Sequence, residues 1–503
     1  MLGASLHDIL TRLKAEPQRF PKLDVIHEPS TPVTAPIILN LPSNGIRLRF
    51  DGPEQRLRLV EVIDFTKNKI TYKDRDVFKS ATTAAAPGSI SPENLSGPTF
   101  KYVYKSLIGP TYPGEYIEPE AANSTDLGIY ILSYPGIAFS FPMQTSAWSP
   151  GKDMVSLLSS STVYVAASMA IFSGSTWSDA RDTLYTQQLE PVKAFSAFSK
   201  SRENVPEEVN LVKIYGEGLI EFVRPTSGSS LSIQLGETTP QQLVAELGPP
   251  DAIYRKNDQR MSIHKNRSES GTHPRPDMSD FRHDDSTDTD QSSAHTATDD
   301  SEEDDDDGEV AGNVSGECFY NYFYHGFDIL LSTPTAPSQR PPSKERYNPT
   351  STYNIALDSP SQLVASKLVL HGNVPGSYPF NRHRRCRWKI EYLNVPGGKV
   401  INSETPFSEV EDSLYKEWKT IYKNSEEAKS RQRGMVLNRD WGDSPGSSCE
   451  LLGGWEDSVH GKRAGITGGS DSTKGLGNTT LFGFPGLVFE VLKNGTVSGL
   501  TVF

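Results

Sequence analysis

The stretch TPQQLVAELGPPDAIYRKNDQRMSIH, Thr239 to His264, predicts a short helix that stops abruptly and leads into a strand. Thr239 and Pro240 are typical of the first positions of a helix. Gly248 can adopt the left-handed conformation that closes a helix, and Pro249 prevents the helix from continuing. Because Gly and Pro produce such a turn unaided, we interpret Gly248 and Pro249 as structural turn markers and not as a recognition loop.

Helical patterns occur at three further places. They are SLHDILTRLK (Ser5–Lys14), TFKYVYKSLIGPTYPGEY (Thr99–Tyr116) and PFSEVEDSLYKEW (Pro406–Trp418). In the first, apolar residues recur at the spacing of one helix face. The second ends at Gly109-Pro110, by the same device as Gly248-Pro249.

Strand patterns follow each of these helical patterns, and each opens with a glycine. The four are NGIRLRFD at Gly45, PGIAFSFP at Gly136, HGFDILLS at Gly326 and PGLVFEVL at Gly486. Apolar and polar residues alternate in them with the period of a half-buried strand, and glycine tolerates the turn that precedes it. We interpret these four glycines as structural turn markers.

Together, these patterns predict an α+β protein of four repeated helix-plus-antiparallel-strand units arranged as two halves, with a disordered acidic insert. The predicted divisions are an N-terminal half of two units at 1–150, a connecting β-rich region at 151–235, a third unit at 236–395 and a fourth at 396–503. The acidic insert at 256–317 interrupts the third unit, and a Gly/Ser-rich loop at 422–478 interrupts the fourth.

The charge of the chain is concentrated in that insert. Pro276 to Glu309 holds 15 acidic residues against one basic residue, Arg282, a net charge of −14 in a chain whose total is −13. Such a density of charge cannot be buried, which predicts disorder. The remainder is therefore nearly neutral and gives no sign of a nucleic-acid partner. Ser301 precedes a run of acidic residues and is a candidate phosphosite, although a spacer without regulation explains the run equally well.

Several classes of protein are disfavoured by what the sequence lacks. Three scattered cysteines argue against a disulfide framework, and ten isolated histidines against a metal site. The first 14 residues form an amphipathic pattern and not a signal peptide, and no apolar run is long enough to span a bilayer. Catalytic motifs such as GxSxG and HExxH are missing. The sequence thus predicts a cytoplasmic protein with no catalytic residue and no cofactor.

One dense basic cluster, NRHRRCRWKI at Asn381 to Ile390, is the candidate binding site for lipid phosphates or an acidic partner. Strand alternation would place Arg385, Arg387 and Lys389 on one face and Cys386, Trp388 and Ile390 on the other. Two further basic residues, Arg382 and Arg384, precede them. An ordinary amphipathic strand, or pairing with the acidic insert of the chain itself, remains an open alternative.

Several of these blocks together resemble the phagophore assembly factor family. The blocks are GIRLRFD, YPGIAFSFP, LGPPDAIYRKNDQRMSIH, CFYNYFYHGFDILLS, LVLHGNVPGSYPFNRHRRCRWKI and GLVFEVLKNGTVSGLTVF. The expanded loops suggest a fungal member. The resemblance implies a protein without enzymatic activity that acts in autophagy, bound to a β-propeller of the phosphoinositide-binding type and recruited to the forming phagophore membrane.

From this resemblance we expect a non-enzymatic interaction scaffold that reaches anionic phosphoinositide membranes indirectly, through its propeller partner. Recruitment would be peripheral, at the phagophore assembly site or Golgi-related membranes. Two alternatives stay open: an adaptor in Golgi or endosomal trafficking, and a small-molecule-binding or hydrolytic enzyme with a site between the halves. A deep pocket with converging polar groups would favour the enzyme.

Overall fold

The computed structural model describes residues 1–78, 96–119, 127–149, 164–187, 189, 207–225, 230–255, 316–334, 363–394, 397–424, 426–427, 433–437 and 479–503. The candidate phosphosite Ser301 lies outside the described residues. So do 256–315 of the acidic insert and most of the loop at 422–478.

An eight-stranded antiparallel sheet forms the first half. Its strands are β1 (Asp24–Ile26), β2 (Ile37–Leu41), β3 (Ile46–Phe50), β4 (Leu57–Val62), β7 (Glu115–Ile117), β8 (Leu127–Tyr134), β9 (Ile137–Gln144) and β10 (Ser168–Ile171). They lie in the order β1-β2-β3-β4-β10-β9-β8-β7. A separate short hairpin joins β5 (Thr71–Tyr72) to β6 (Arg75–Asp76). Because β10 completes this sheet, the first half extends past the predicted boundary at residue 150.

A second eight-stranded antiparallel sheet forms the other half. Its strands are β14 (Ala252–Arg255), β15 (Cys318–Tyr322), β16 (Phe327–Ser332), β17 (Val364–His371), β19 (Met435–Leu437), β20 (Thr479–Phe484), β21 (Leu487–Leu492) and β22 (Val497–Val502). Their order is β14-β15-β16-β17-β22-β21-β20-β19. As in the first sheet, the first four strands lie side by side in chain order, and the next four lie in the reverse of chain order.

The connecting region supplies a third, four-stranded sheet in the order β13-β12-β11-β18. Its strands are β11 (Leu211–Gly216), β12 (Leu219–Val223), β13 (Ser230–Gln234) and β18 (Trp388–Ile390). β18 runs parallel to β11, whereas the other two pairs are antiparallel. Three of these four strands, β11, β12 and β13, come from the connecting region, and β18 comes from a later segment of the chain.

Five helical segments accompany the sheets: α1 (Leu6–Ala15), α2 (Phe100–Tyr102), α3 (Trp177–Thr183), α4 (Pro240–Leu247) and α5 (Phe407–Glu417). Three of the four predicted helices are thereby confirmed. The hydroxyl of Thr239 accepts a hydrogen bond from the backbone N–H of Gln242, and the side chain of Gln242 accepts one from the backbone N–H of Thr239. Gly248 closes the helix with φ +83°. The second predicted helix is different, because α2 passes into a π-helical turn over Val103–Leu107 that packs apolar side chains into the first half's core.

One apolar core joins the second sheet, the four-stranded sheet, α4 and α5. Trp388 of β18 packs edge-on against Phe489 of β21, with ring centroids 6.0 Å apart. Separate apolar clusters lie under the first sheet. The architecture is therefore mixed α+β, with antiparallel sheets in two halves.

The four turn glycines share one arrangement. Gly45, Gly136, Gly326 and Gly486 all have positive φ, between +61° and +84°, and each precedes the third strand of a run of four. In each case the glycine carbonyl accepts a backbone hydrogen bond from the residue that ends or follows the fourth strand. The donors are Ile63, Phe172, His371 and Phe503, at 2.8–3.1 Å.

Gly326→Ala is expected to destabilise the protein more than an ordinary substitution at a left-handed glycine. A Cβ at Gly326 would lie 2.3 Å from the carbonyl oxygen of Arg384, whereas one at Gly236 (φ +86°) would meet nothing within 4 Å. Gly236→Ala, the matched control, should cost about 1–2 kcal/mol from backbone strain alone. Urea denaturation of both variants should show the larger loss at Gly326, and equal losses would contradict the close approach.

Candidate functional site and family

A polar network joins the two halves of the protein. We call it the polar joint, and define it as residues 51–58 (the β3–β4 turn and the start of β4), Glu208, the segment 372–387 and Glu404. At its centre the side chain of Gln55 donates to the carbonyl of Asn373 at 2.8 Å, and the Asn373 amide donates back to Gln55 Oε1 at 2.8 Å. Both residues have positive φ, at 52° and 45°. Backbone strain at both positions is thus tied to one reciprocal amide pair that crosses between the halves.

Glu208 lies between two buried arginines of the polar joint. Arg56 comes from the first half and Arg384 from the segment before β18, and both guanidinium groups donate to the Glu208 carboxylate. Burial lowers the pKa of Arg56 to about 9, and burial also lowers the pKa of Arg384. The single carboxylate of Glu208 therefore pairs with both guanidinium groups, which would be costly to bury without a partner.

A second ionic group lies beside the first. Arg385 donates to the carbonyls of Gly372 and Pro53, at 2.7 and 2.8 Å, and its guanidinium faces Glu404 at 3.3 Å. Arg387 pairs with Glu404 at 3.0 Å and with Glu54 of the first half at 3.2 Å. At the start of β4, the nearby Arg58 pairs with the buried carboxylate of Asp51 at 2.5 Å. Each of these guanidinium groups thus has a carboxylate partner within the chain.

The structure separates the predicted basic cluster into buried arginines and residues nearer to the surface. Arg384 and Arg385 are buried, at 4% and 6% exposure, and Arg387 is half-buried in its ion pairs. Alternation in β18 is confirmed, since Trp388 and Ile390 are buried on one side and Lys389 is half-exposed on the other. The expectation that Arg385 shares a surface-facing side with Lys389 is wrong, because partners distant in sequence enclose it.

The remaining basic residues of that cluster lie nearer to the surface. Arg382 is half-buried over the ring of Tyr378, at 5.3 Å, and Lys389 pairs with Glu391 at 3.0 Å. Contact of these two residues with lipid phosphates stays a prediction.

His325 is a buried, neutral histidine at the same junction. It is 3% exposed, and its Nδ1 accepts a hydrogen bond from the backbone N–H of Val209 at 3.3 Å. Burial, followed by the charges of Arg384 and Arg224, lowers the pKa of His325 to about 3. A proton on Nδ1 would face another donor, so the folded protein excludes the charged form.

Acidification from pH 7 to pH 5 should therefore lower the stability of the protein, with His325 contributing about 2 kcal/mol of that loss. In the unfolded protein His325 takes up its proton near pH 6.5, whereas in the folded protein it stays neutral down to about pH 3. Its stabilising contribution is complete above pH 6.5 and declines as the pH falls towards 3. Urea unfolding of His325→Gln should show a smaller difference between pH 7 and pH 5. An undiminished difference would contradict this assignment.

A second histidine arrangement, Asp328 with His371 and His383, lies at the end of β17. His371 Nε2 is 2.8 Å from one carboxylate oxygen of Asp328, and His383 Nε2 is 2.9 Å from the other. The imidazoles stack with centroids 3.7 Å apart. In the described part of the chain this is the group whose donor atoms suit a metal. No local sequence pattern reveals this group, because the three residues lie in separate segments, each carrying one ordinary histidine or aspartate.

Two edge strands of the second sheet carry exposed apolar side chains. All four residues of β14 are exposed, with Ile253 at 56% and Tyr254 at 57%. At the opposite edge, Met435 and Val436 of β19 are 63% and 67% exposed. Edge strands present unpaired backbone groups as well, so these two edges are candidate docking surfaces. In the described part of the chain, no helix has the length and apolar character needed to cross a bilayer.

Comparison with known proteins gives the family. The sequence model of the family described as phagosome assembly factor 1 matches residues 1–284 and 350–503. A PHAF1 protein of Arabidopsis thaliana is 24% identical over all of this chain and 89% of its own length. A PHAF1 protein of Drosophila melanogaster is 20% identical over all of this chain and 90% of its own.

A third relative, a PHAF1 protein of Caenorhabditis elegans, is 21% identical over 78% of this chain and 74% of its own. No solved structure matches the chain significantly. The family name describes an assembly factor and connects the chain with phagosome formation and autophagy. Because the family match covers most of its residues, the chain belongs to the phagosome assembly factor 1 family.

Proposed function

We propose that this protein is a non-enzymatic scaffold in autophagy that binds a β-propeller partner of the phosphoinositide-binding type at the forming phagophore membrane. Family membership supports the role in assembly. The partner would supply most of the affinity for anionic phosphoinositide membranes, and the protein would be cytoplasmic and recruited peripherally. In this proposal, no nucleic acid takes part.

The observation that carries the proposal is the pair of exposed apolar edges at β14 and β19. Blades of a β-propeller are themselves small antiparallel sheets, and sheets bind extended partners through edge hydrogen bonds and alternating side-chain pockets. Ile253 and Tyr254 lie on opposite sides of β14, so the edge offers an apolar side chain to either face of a partner.

The internal pairing of the arginines supports an indirect contact with lipid. Arg384 and Arg385 are buried against Glu208 and Glu404, so their charges are neutralised within the fold. Arg382 and Lys389 leave at most a weak basic contact at the surface. Membrane affinity would then depend on the propeller and not on this cluster.

A binding assay with edge variants tests the docking surface. The purified full chain and the phosphoinositide-binding propeller of the same organism are mixed and their affinity is measured by calorimetry. Ile253→Lys should weaken binding about tenfold or more if β14 is the docking edge, and Val436→Lys should do so if it is β19. Exposed Glu217→Gln, away from both edges, is the control. Unchanged affinity in both edge variants would contradict docking at these edges.

We also propose that the chain is built from four related helix-plus-strand units. Each eight-stranded sheet has the same strand order, with a helix before each run of four strands. The shared hydrogen bond at Gly45, Gly136, Gly326 and Gly486 supports the equivalence. A scaffold of this kind would present similar edges in both halves.

A further inference from the structure

The carboxylate of Asp328 differs from the carboxylates of the polar joint. Glu208, Glu404 and Glu54 each face at least one arginine, whereas Asp328 is 8% exposed and its hydrogen-bond partners are the imidazoles of His371 and His383. The cluster thus brings two imidazole nitrogens and one carboxylate together at a nearly buried position, and these donor types are ones that a divalent cation can use.

The fold itself does not require this arrangement. His371 donates its backbone N–H to Gly326, and the residues that make the same bond in the other three strand runs are Ile63, Phe172 and Phe503. Those three donor residues are apolar. In none of the three runs is the second residue after the turn glycine an aspartate. The Asp328–His371 pair is therefore an addition to the shared strand arrangement, and a third segment brings His383 to it.

We propose that Asp328, His371 and His383 form a binding site for a divalent transition-metal ion of the zinc type. Two imidazole nitrogens and one carboxylate are a common donor set for zinc, with water as the fourth ligand. Calcium and magnesium prefer oxygen ligands throughout, so this donor set disfavours them. The three donor atoms lie within 4.8 Å of one another.

Binding requires a small opening of the hydrogen-bonded cluster. Zinc at about 2.0–2.2 Å from each ligand needs donor atoms roughly 3.3 Å apart. The present Nε2–oxygen distances are 2.8 and 2.9 Å. The side chain of His371 is 20% exposed and can turn out of its stack on His383, admitting a water molecule. The ring of His383 is held by Phe323, 4.8 Å away.

The site should bind zinc with moderate affinity. When the ion takes Nε2 of a neutral His383, the ring proton moves to Nδ1. That atom is buried and has no hydrogen-bond partner among the described residues. Metal-bound histidines usually donate this proton to a neighbouring acceptor, which strengthens the site. We therefore expect a dissociation constant in roughly the micromolar range, weaker than in closed structural zinc sites.

Calorimetry on the EDTA-treated full chain with zinc chloride tests the site. Wild type should bind one zinc ion through this group, and magnesium and calcium should not compete. Asp328→Asn and His371→Gln should each weaken that binding at least about tenfold. His27→Gln, which removes a half-buried histidine elsewhere, should leave it unchanged.

Visible absorption of added cobalt reports directly on nitrogen and oxygen ligation, and should be lost in the same two variants. If Asp328→Asn does not fold, His371→Gln carries the test, because its partly exposed ring contributes less to packing. Absence of zinc uptake by wild type would overturn the proposal. So would unchanged affinity in folded His371→Gln, because zinc would then bind elsewhere.

Discussion

Glu208→Gln is expected to lower the free energy of unfolding by about 3–5 kcal/mol, the usual cost of removing one partner from a buried ion pair. Glu208 is 5% exposed and receives hydrogen bonds from both Arg56 and Arg384. Glutamine preserves the size of the side chain but removes the carboxylate charge that pairs with both buried guanidinium groups. Because those arginines belong to different halves, the variant tests whether the polar joint holds the halves together.

Urea unfolding followed by circular dichroism measures the loss. Exposed Glu217→Gln is the matched control and should change stability by less than about 0.5 kcal/mol. A small effect at Glu208, similar to that at Glu217, would show that the ionic group does not stabilise the junction.

Trp388→Ala should destabilise the protein by about 3–5 kcal/mol, because it removes a large side chain from a closed core. Trp388 is 2% exposed and lies where the four-stranded sheet meets the second eight-stranded sheet. Its ring packs edge-on against Phe489, which itself contacts Phe407 of α5 and Phe484. Truncation would leave a cavity between β18 and β21.

Trp388→Phe separates lost packing from other causes, since it keeps an aromatic ring in the same place. Its cost should be clearly smaller, near 1.5 kcal/mol, and both variants can be compared by thermal unfolding. Equal losses in the two variants would point to the indole nitrogen or the backbone of β18, and would contradict a packing role.

Local signals in the sequence were sufficient for much of the fold. α4 begins at the Thr239 cap and ends at Gly248, as the sequence predicts, because capping and chain termination depend on neighbouring residues. Period-two alternation predicts the strands after the turn glycines, although the first five residues of β16 are all buried. The π-helical turn at Val103–Leu107 was not predictable in this way, because its wider turn accompanies side-chain packing into the core of the first half.

The candidate sites depended on contacts that no local pattern reveals. Arg56 and Glu208 are separated by 152 positions, Arg384 and Glu208 by 176, and Arg387 and Glu54 by 333. The sequence therefore showed a basic cluster without the carboxylates that neutralise it. The same limit hid the cluster of Asp328 with His371 and His383, whose members lie 43 and 55 positions from the aspartate.

The most direct test of the proposed scaffold role is flotation with phosphoinositide-containing vesicles, comparing the purified chain alone with the chain plus its β-propeller partner. We predict that the chain floats only when the propeller is present, and that Arg382→Glu with Lys389→Glu leaves this recruitment unchanged. Flotation of the chain alone, lost in that double variant, would contradict the account by showing direct lipid binding. Failure to float even with a membrane-bound propeller would contradict the proposed partnership itself.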